Sequence, residues 1–184
     1  FNFVDRGGLV LGICNGFQVL VETGLLDGSF GKRTERKVAL YDNASMKFEA
    51  RWVHLRSEES ACPWLDAGDI WPVPVAHAEG RFVCRDADTL AQLKANGQIA
   101  LRYVNSDGST PSYPECPNGA LEEIAGICDS SGRVLGLMPH PERNLLPWNH
   151  PMWTRMQSRS EGEGAGFFRR LVDVAKGSTV NASR

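Results

Sequence analysis

The stretch Leu9–Leu20, LVLGICNGFQVL, sets a cysteine between two glycines with apolar residues on either side. Leu9 to Ile13 is a continuous apolar run, the pattern of a strand covered on both faces. After Gly16 the apolar residues Phe17, Leu20, Val21 and Leu25 follow helical spacing, and Gly24 and Gly28 stop or weaken the helix. The unit therefore reads strand, tight turn, helix, with Cys14 at the turn. Gly12-Ile13-Cys14-Asn15-Gly16 has the spacing of a nucleophile elbow, G-x-S-x-G, with cysteine in place of serine. Side chains two residues either side of such a turn crowd the backbone, and glycine relieves the crowding. The positive end of the following helix favours the thiolate, and the Asn15 N–H is set to donate to a developing oxyanion. The competing reading is a structural cysteine beside a packing glycine.

The remaining pattern extends this unit into an α/β domain. Met46–Arg56 alternates, with Phe48, Ala50, Trp52 and His54 of one parity, which predicts a half-buried strand, antiparallel to a neighbour, with His54 on its buried face. Ile70–Val83 contains Pro72, Pro74 and Gly80 and reads as extended and loop-like. Asp86–Gln98 predicts a short helix capped by Asp86 or Asp88 and stopped at Gly97. IALRYVN reads as a strand, and Ser106–Ala120 as a surface loop rich in turn formers. LEEIAGIC, DSSG and RVLGLM read as a hairpin whose second arm delivers PHPER. Beyond an aromatic, proline-punctuated loop, Phe167, Phe168, Leu171, Val172 and Val174 predict a closing amphipathic helix. One domain over residues 1–175 and a frayed tail over 176–184 are expected.

Composition excludes several classes. The chain has 184 residues, 42 % hydrophobic and 23 % charged, enough for one substantial core. A net charge of -2 gives no general attraction to nucleic acid or anionic membrane. No apolar stretch approaches the roughly 20 residues that span a bilayer. Five cysteines, odd in number and with no C-x-x-C pair, argue against a disulfide framework or zinc site and fit a reducing, cytoplasmic setting. The chain begins at Phe1 with little before the first strand, whereas a central α/β strand normally follows earlier βα units. It is expected to be the C-terminal part of a longer polypeptide.

A cysteine nucleophile needs a base, and the base an orienter. His140 stands between Pro139 and Pro141, so its segment is extended rather than helical. Residues two apart in an extended chain share a face, which directs His140 and Glu142 the same way. His77, with Glu79 two residues on, is the internal rival and could line the same pocket. His150 reads as structural. Lys32, Arg33, Arg36, Lys37 and Arg143, with Trp148 and Trp153, are candidates for partner contact beside the plainer reading of solvated or loop-pinning residues.

GICNGFQ with a downstream PHPE resembles the triad-type (class I) glutamine amidotransferases, in which Cys, His and Glu hydrolyse the side-chain amide of glutamine. LGICNGFQVL, AHAEGRF, RYVNSDG, PNGALEEIAGI and VLGLMPHPER resemble one branch, the glutaminase subunits of phosphoribosylformylglycinamidine synthases, from about Gly7 to Arg143. The resemblance implies a flavodoxin-like, mostly parallel sheet flanked by helices, with N-terminal strands and a second oxyanion loop missing from this chain. It implies Cys14 as nucleophile, His140 as base and acid, Glu142 as orienter, Gln18 facing the substrate pocket, and the loop Pro117–Gly119, with Asn118 and Gly119, at the substrate's amino-acid end. Asn15 as oxyanion donor and His77 beside the substrate stay as read from the residues themselves. No cofactor is expected in this chain, since no phosphate-binding G-x-x-x-x-G-K-[ST] occurs and ATP and Mg²⁺ belong to a synthetase partner. A small third subunit is a further expected partner. Rival readings are another amidotransferase branch, a free γ-glutamyl hydrolase, or a non-catalytic subunit that keeps the fold.

Overall fold

The computed structural model describes residues 2–177. A short helix α1 (Asn2–Asp5) precedes β1 (Val10–Ile13) and α2 (Asn15–Thr23). Then follow β2 (Val38–Asp42), β3 (Glu49–Ser57), β4 (Ile70–His77), β5 (Glu79–Cys84) and α3 (Ala87–Ala95). β6 (Ile99–Val104), β7 (Ile124–Cys128), β8 (Val134–Leu137) and α4 (Glu163–Ala175) complete the order. The expected tail lies outside the described residues from 178 onward.

The main sheet has six strands in the order β1-β8-β7-β6-β3-β4, and β2 and β5 form a separate antiparallel pair. The α/β class and the flanking helices are as expected, but the sheet within these residues is mostly antiparallel. β1 and β8 are parallel, with Ile13 opposite Leu137, and the other four pairings are antiparallel. The reason is connectivity. Parallel neighbours require a long crossover, usually helical, whereas β7 and β8 are joined by a short turn closed by Asp129.

Alternation places two cores on the two faces of the sheet. Leu9, Leu11 and Ile13 join a cluster with Val53, Leu55, Leu101, Tyr103, Leu135, Leu137 and Phe167 of α4. Val10 and Val134 face the other cluster, where Phe17, Leu20 and Val21 of α2 meet Val38, Phe82 and Leu93. On β3 the buried parity is Val53, Leu55 and Ser57, so His54 lies on the half-covered face instead of in the core. That face is covered by the proline-punctuated loop, with the His150 ring 4.7 Å from Trp52.

The segment read as loop-like is two strands. β4 accommodates Pro72 and Pro74 because it is an edge of the sheet, where a missing N–H breaks no ladder bond. Both proline carbonyls point outward and are used: Pro74 accepts from the His140 N–H at 2.8 Å and Pro72 from the Asn144 amide at 3.0 Å. The edge of β4 is thus a mount for the segment that follows β8. The loop 106–120 is exposed only in part, since Cys116, Pro117, Asn118 and Ala120 are buried. Among the described residues no helix is long and apolar enough to cross a membrane.

Candidate functional site

Cys14 occupies the turn between β1 and α2 with φ 52° and ψ -108°, a left-handed conformation unfavourable to any residue with a Cβ. Its N–H donates to Leu137 at 2.8 Å, which extends the parallel ladder by one residue. Gly12 is required for this geometry: a Cβ there would stand 2.6 Å from the Gly16 carbonyl oxygen. Gly16 has open space around its missing Cβ, so the symmetric crowding expected from the sequence holds on one side only. The helix that begins at Asn15 ends at Gly24, which adopts φ 73° and closes the last turn on Leu20 and Val21.

The thiol is less acidic than the elbow alone implies. Burial pushes the Cys14 proton affinity up, and this outweighs the Asn15 N–H and the Arg143 charge that pull it down; Glu142 adds to the rise. The sulfur stands 3.9 Å from the Ala76 carbonyl oxygen of β4, in reach of a weak S–H···O contact. A sulfur in this state reacts only once a base takes its proton.

His140 follows β8 by three residues and is 7 % exposed. Its Nδ1 lies 2.6 Å from Glu142 Oε1. A carboxylate only accepts, so Nδ1 carries an N–H, and the neutral ring then has its lone pair on Nε2. Nε2 is buried with no partner among the described residues. The pairing expected from the sequence forms, but across a 3₁₀ turn (Pro141–Arg143) rather than along a strand. Because His140 hangs from Pro74 and Cys14 extends the ladder beyond Leu137, both come to the same end of the β1–β8 pair.

The other expected site residues divide. Gln18, on the second turn of α2, donates to the Glu79 backbone oxygen at 3.4 Å. Asn118 is 0 % exposed; its amide donates to Gly80 at 2.7 Å and to the Tyr103 hydroxyl at 3.2 Å, and its oxygen accepts from the Ala120 N–H. Its side chain is engaged within the fold. Gly119 beside it is exposed, with φ 69°, and shares a cavity of about 250 Å³ with Ser45, Tyr113 and Glu123. His77 ends β4, is 3 % exposed, and has its affinity for a proton lowered to about 4 by burial and by His140 nearby.

Sequence reasoning missed the groups under His77. Asn43 and Glu49 are buried polar residues, and Glu49 lies opposite His77 in the β3–β4 register. Hydrogen bonds from Ser45 and Arg51 hold the Glu49 carboxyl below its usual range despite its burial. Nothing local marks these residues; only strand register brings them together. Among the described residues no group of three His, Cys, Asp or Glu side chains could hold a metal ion.

A strained cysteine elbow and a His–Glu pair, carried by the parallel strands of an α/β sheet, define a class of amidotransferase-like proteins. Residues 1–173 match the model of the CobB/CobQ-like glutamine amidotransferase domain, and the chain belongs to that family. It is 48 % identical over 151 residues to the phosphoribosylformylglycinamidine synthase subunit PurQ of Methanococcus maripaludis, covering 81 % of this chain and 55 % of that protein. It is 42 % identical to the PurQ subunit of Picrophilus torridus, covering 93 % of this chain and 66 % of that one. A solved PurLQS structure from Thermotoga maritima matches with a TM-score of 0.65 and 33 % identity, over 95 % of this chain and 65 % of the other. The chain thus spans little more than half the length of the Methanococcus relative.

Proposed function

We propose that residues 1–175 form a glutaminase domain of a phosphoribosylformylglycinamidine synthase. The observation that carries this reading is the His140–Glu142 contact of 2.6 Å, brought by β8 to the end of the β1–β8 pair where a cysteine is held at positive φ. His140 Nε2 takes the Cys14 proton, and the sulfur attacks the glutamine Cδ. The Asn15 N–H donates to the resulting oxyanion. His140 returns the proton to the departing nitrogen, ammonia leaves, and a γ-glutamyl thioester remains on Cys14. His140 then deprotonates a water that attacks the thioester, and glutamate is released. Glu142 holds the tautomer and stabilises the imidazolium. The raised proton affinity of Cys14 supports a base-assisted attack over a resting thiolate.

Ammonia passes to a synthetase partner that converts formylglycinamide ribonucleotide to formylglycinamidine ribonucleotide. The similarity to PurQ subunits and to the PurLQS structure supports this assignment. ATP and Mg²⁺ are held by the partner, a small third subunit joins the assembly, and the work is done in the cytoplasm without nucleic acid or membrane.

Glutamate release by the full-length protein, with and without synthetase, tests the reading. Cys14→Ala is expected to abolish release, and mass spectrometry of wild type given glutamine is expected to find the γ-glutamyl adduct on Cys14. Equal release by the two proteins removes Cys14 from the chemistry.

A further inference from the structure

The His77 imidazole is held by Asn43 and sits against Gly80. Asn43, 0 % exposed, donates its amide N–H groups to the Lys47 and His77 carbonyls, both at 2.8 Å. Those two acceptors fix which end of the Asn43 amide is nitrogen, so its oxygen is the atom 3.0 Å from His77 Nδ1. An amide oxygen can only accept, and His77 therefore carries its proton on Nδ1. Gly80 leaves room for the ring, since a Cβ there would lie 2.8 Å from Nδ1. The remaining atom, Nε2, is then a lone-pair acceptor, buried and unpartnered among the described residues. A buried acceptor left unmet is costly, so this arrangement calls for a donor.

We infer that Asn43 is a positioning residue that locks His77 as the Nδ1–H tautomer, so that His77 Nε2 accepts an N–H of the glutamine substrate. The inference rests on the glutaminase reading and extends it to substrate recognition. The surroundings keep the imidazole neutral. Burial opposes a positive charge on the ring and His140 nearby adds to this, while the nearby Glu49 carboxylate, which favours one, already accepts from Ser45 and Arg51. In the other tautomer Nε2 would be a donor and would repel the same N–H. The donor is either the α-ammonium or the carboxamide of glutamine, and a substrate lacking the α-amino group separates them.

The test uses the full-length protein. Long-range proton–nitrogen spectra at pH 8 are expected to show His77 protonated on Nδ1 and its Nε2 signal shifted by glutamine in a Cys14→Ser background. His77→Phe is expected to raise KM for glutamine roughly tenfold with kcat nearly kept, and His77→Gln, which still offers an oxygen, to recover part of it. Asn43→Leu is expected to lose the tautomer preference and raise KM similarly. Asn43→Ala, which removes the acceptor from Nδ1–H without adding bulk, is expected to do the same and serves if the leucine variant does not fold. With 4-carbamoylbutanoate, a KM penalty of His77→Phe that vanishes assigns the α-ammonium, and one that persists assigns the carboxamide. A wild-type Nε2–H tautomer, a signal unmoved by bound glutamine because it sees only a water, or an unchanged KM in His77→Phe overturns the inference. If wild type neither binds nor hydrolyses glutamine, the glutaminase reading itself fails, and the tautomer spectrum still reports on Asn43.

Discussion

At Cys14 the fold keeps a conformation that its side chain disfavours. Residues held at such dihedrals cost of order 1–3 kcal/mol, and they persist only where surrounding contacts over-determine them. Here the ladder bond to Leu137 and the close approach of Gly12 to Gly16 do so. Glycine at this position removes the strain but adds entropy to the unfolded chain, about 0.5–1 kcal/mol. The first effect is the larger, so Cys14→Gly is expected to be more stable than Cys14→Ala by about 1 kcal/mol in urea unfolding. Equal stabilities would show that the turn is unstrained. Cys14, His140 and Glu142 could be picked out in the sequence because glycine spacing and the proline bracket are local signals. Asn43 could not, because its importance lies in what its amide meets across two strands.

Among the elements, α4 and the turn that carries Glu142 depend on one another. Gly164 packs against that turn, and a Cβ there would overlap the Pro141 carbonyl oxygen, while Phe167 anchors the helix against Trp71 at 5.8 Å. Asn144 adds a bond of 2.7 Å to Glu163. Gly164→Ala is expected to lose about 1–3 kcal/mol of stability by overpacking and to lower kcat as well, because the displaced turn takes Glu142 from His140. Denaturant unfolding and glutamate release measure the two effects; a stability loss with full kcat would separate the helix from the site. The helix itself was readable from its apolar spacing, and α3 from its Asp86 cap, which accepts from the Thr89 N–H at 2.8 Å. β4 was not, since two prolines argue against a strand until its position at the sheet edge is known.

For the whole molecule, acid stability follows from His77. The folded protein holds it neutral down to about 4, whereas the unfolded imidazole takes up a proton near 6.5. Stability from this group is complete above that upper value and falls as the pH drops between the two, because the unfolded chain binds the extra proton. The slope approaches about 1.4 kcal/mol per pH unit within that window. Glu49 acts lower, below its ordinary 4.5, because its folded carboxyl is held ionised. His77→Phe is expected to flatten the profile of unfolding free energy between pH 6.5 and 4, and an unchanged slope would place the titration elsewhere. The α/β class was evident from the sequence, but strand direction was not: hydrophobic runs locate buried strands without saying which neighbour they adopt. The sheet curls until the end of β1 and the outer edge of β4, opposite ends of its strand order, nearly touch at Cys14 and Ala76.

That closing seam also sets a timetable. β1 leaves the ribosome well before the parallel strand beside it and the imidazole beyond. Pairings between distant parts of a chain form late, since loop closure opposes them. A nascent or half-assembled polypeptide therefore carries an ordinary sulfhydryl with no helper. On the proposed reading its chemistry waits until that seam has closed.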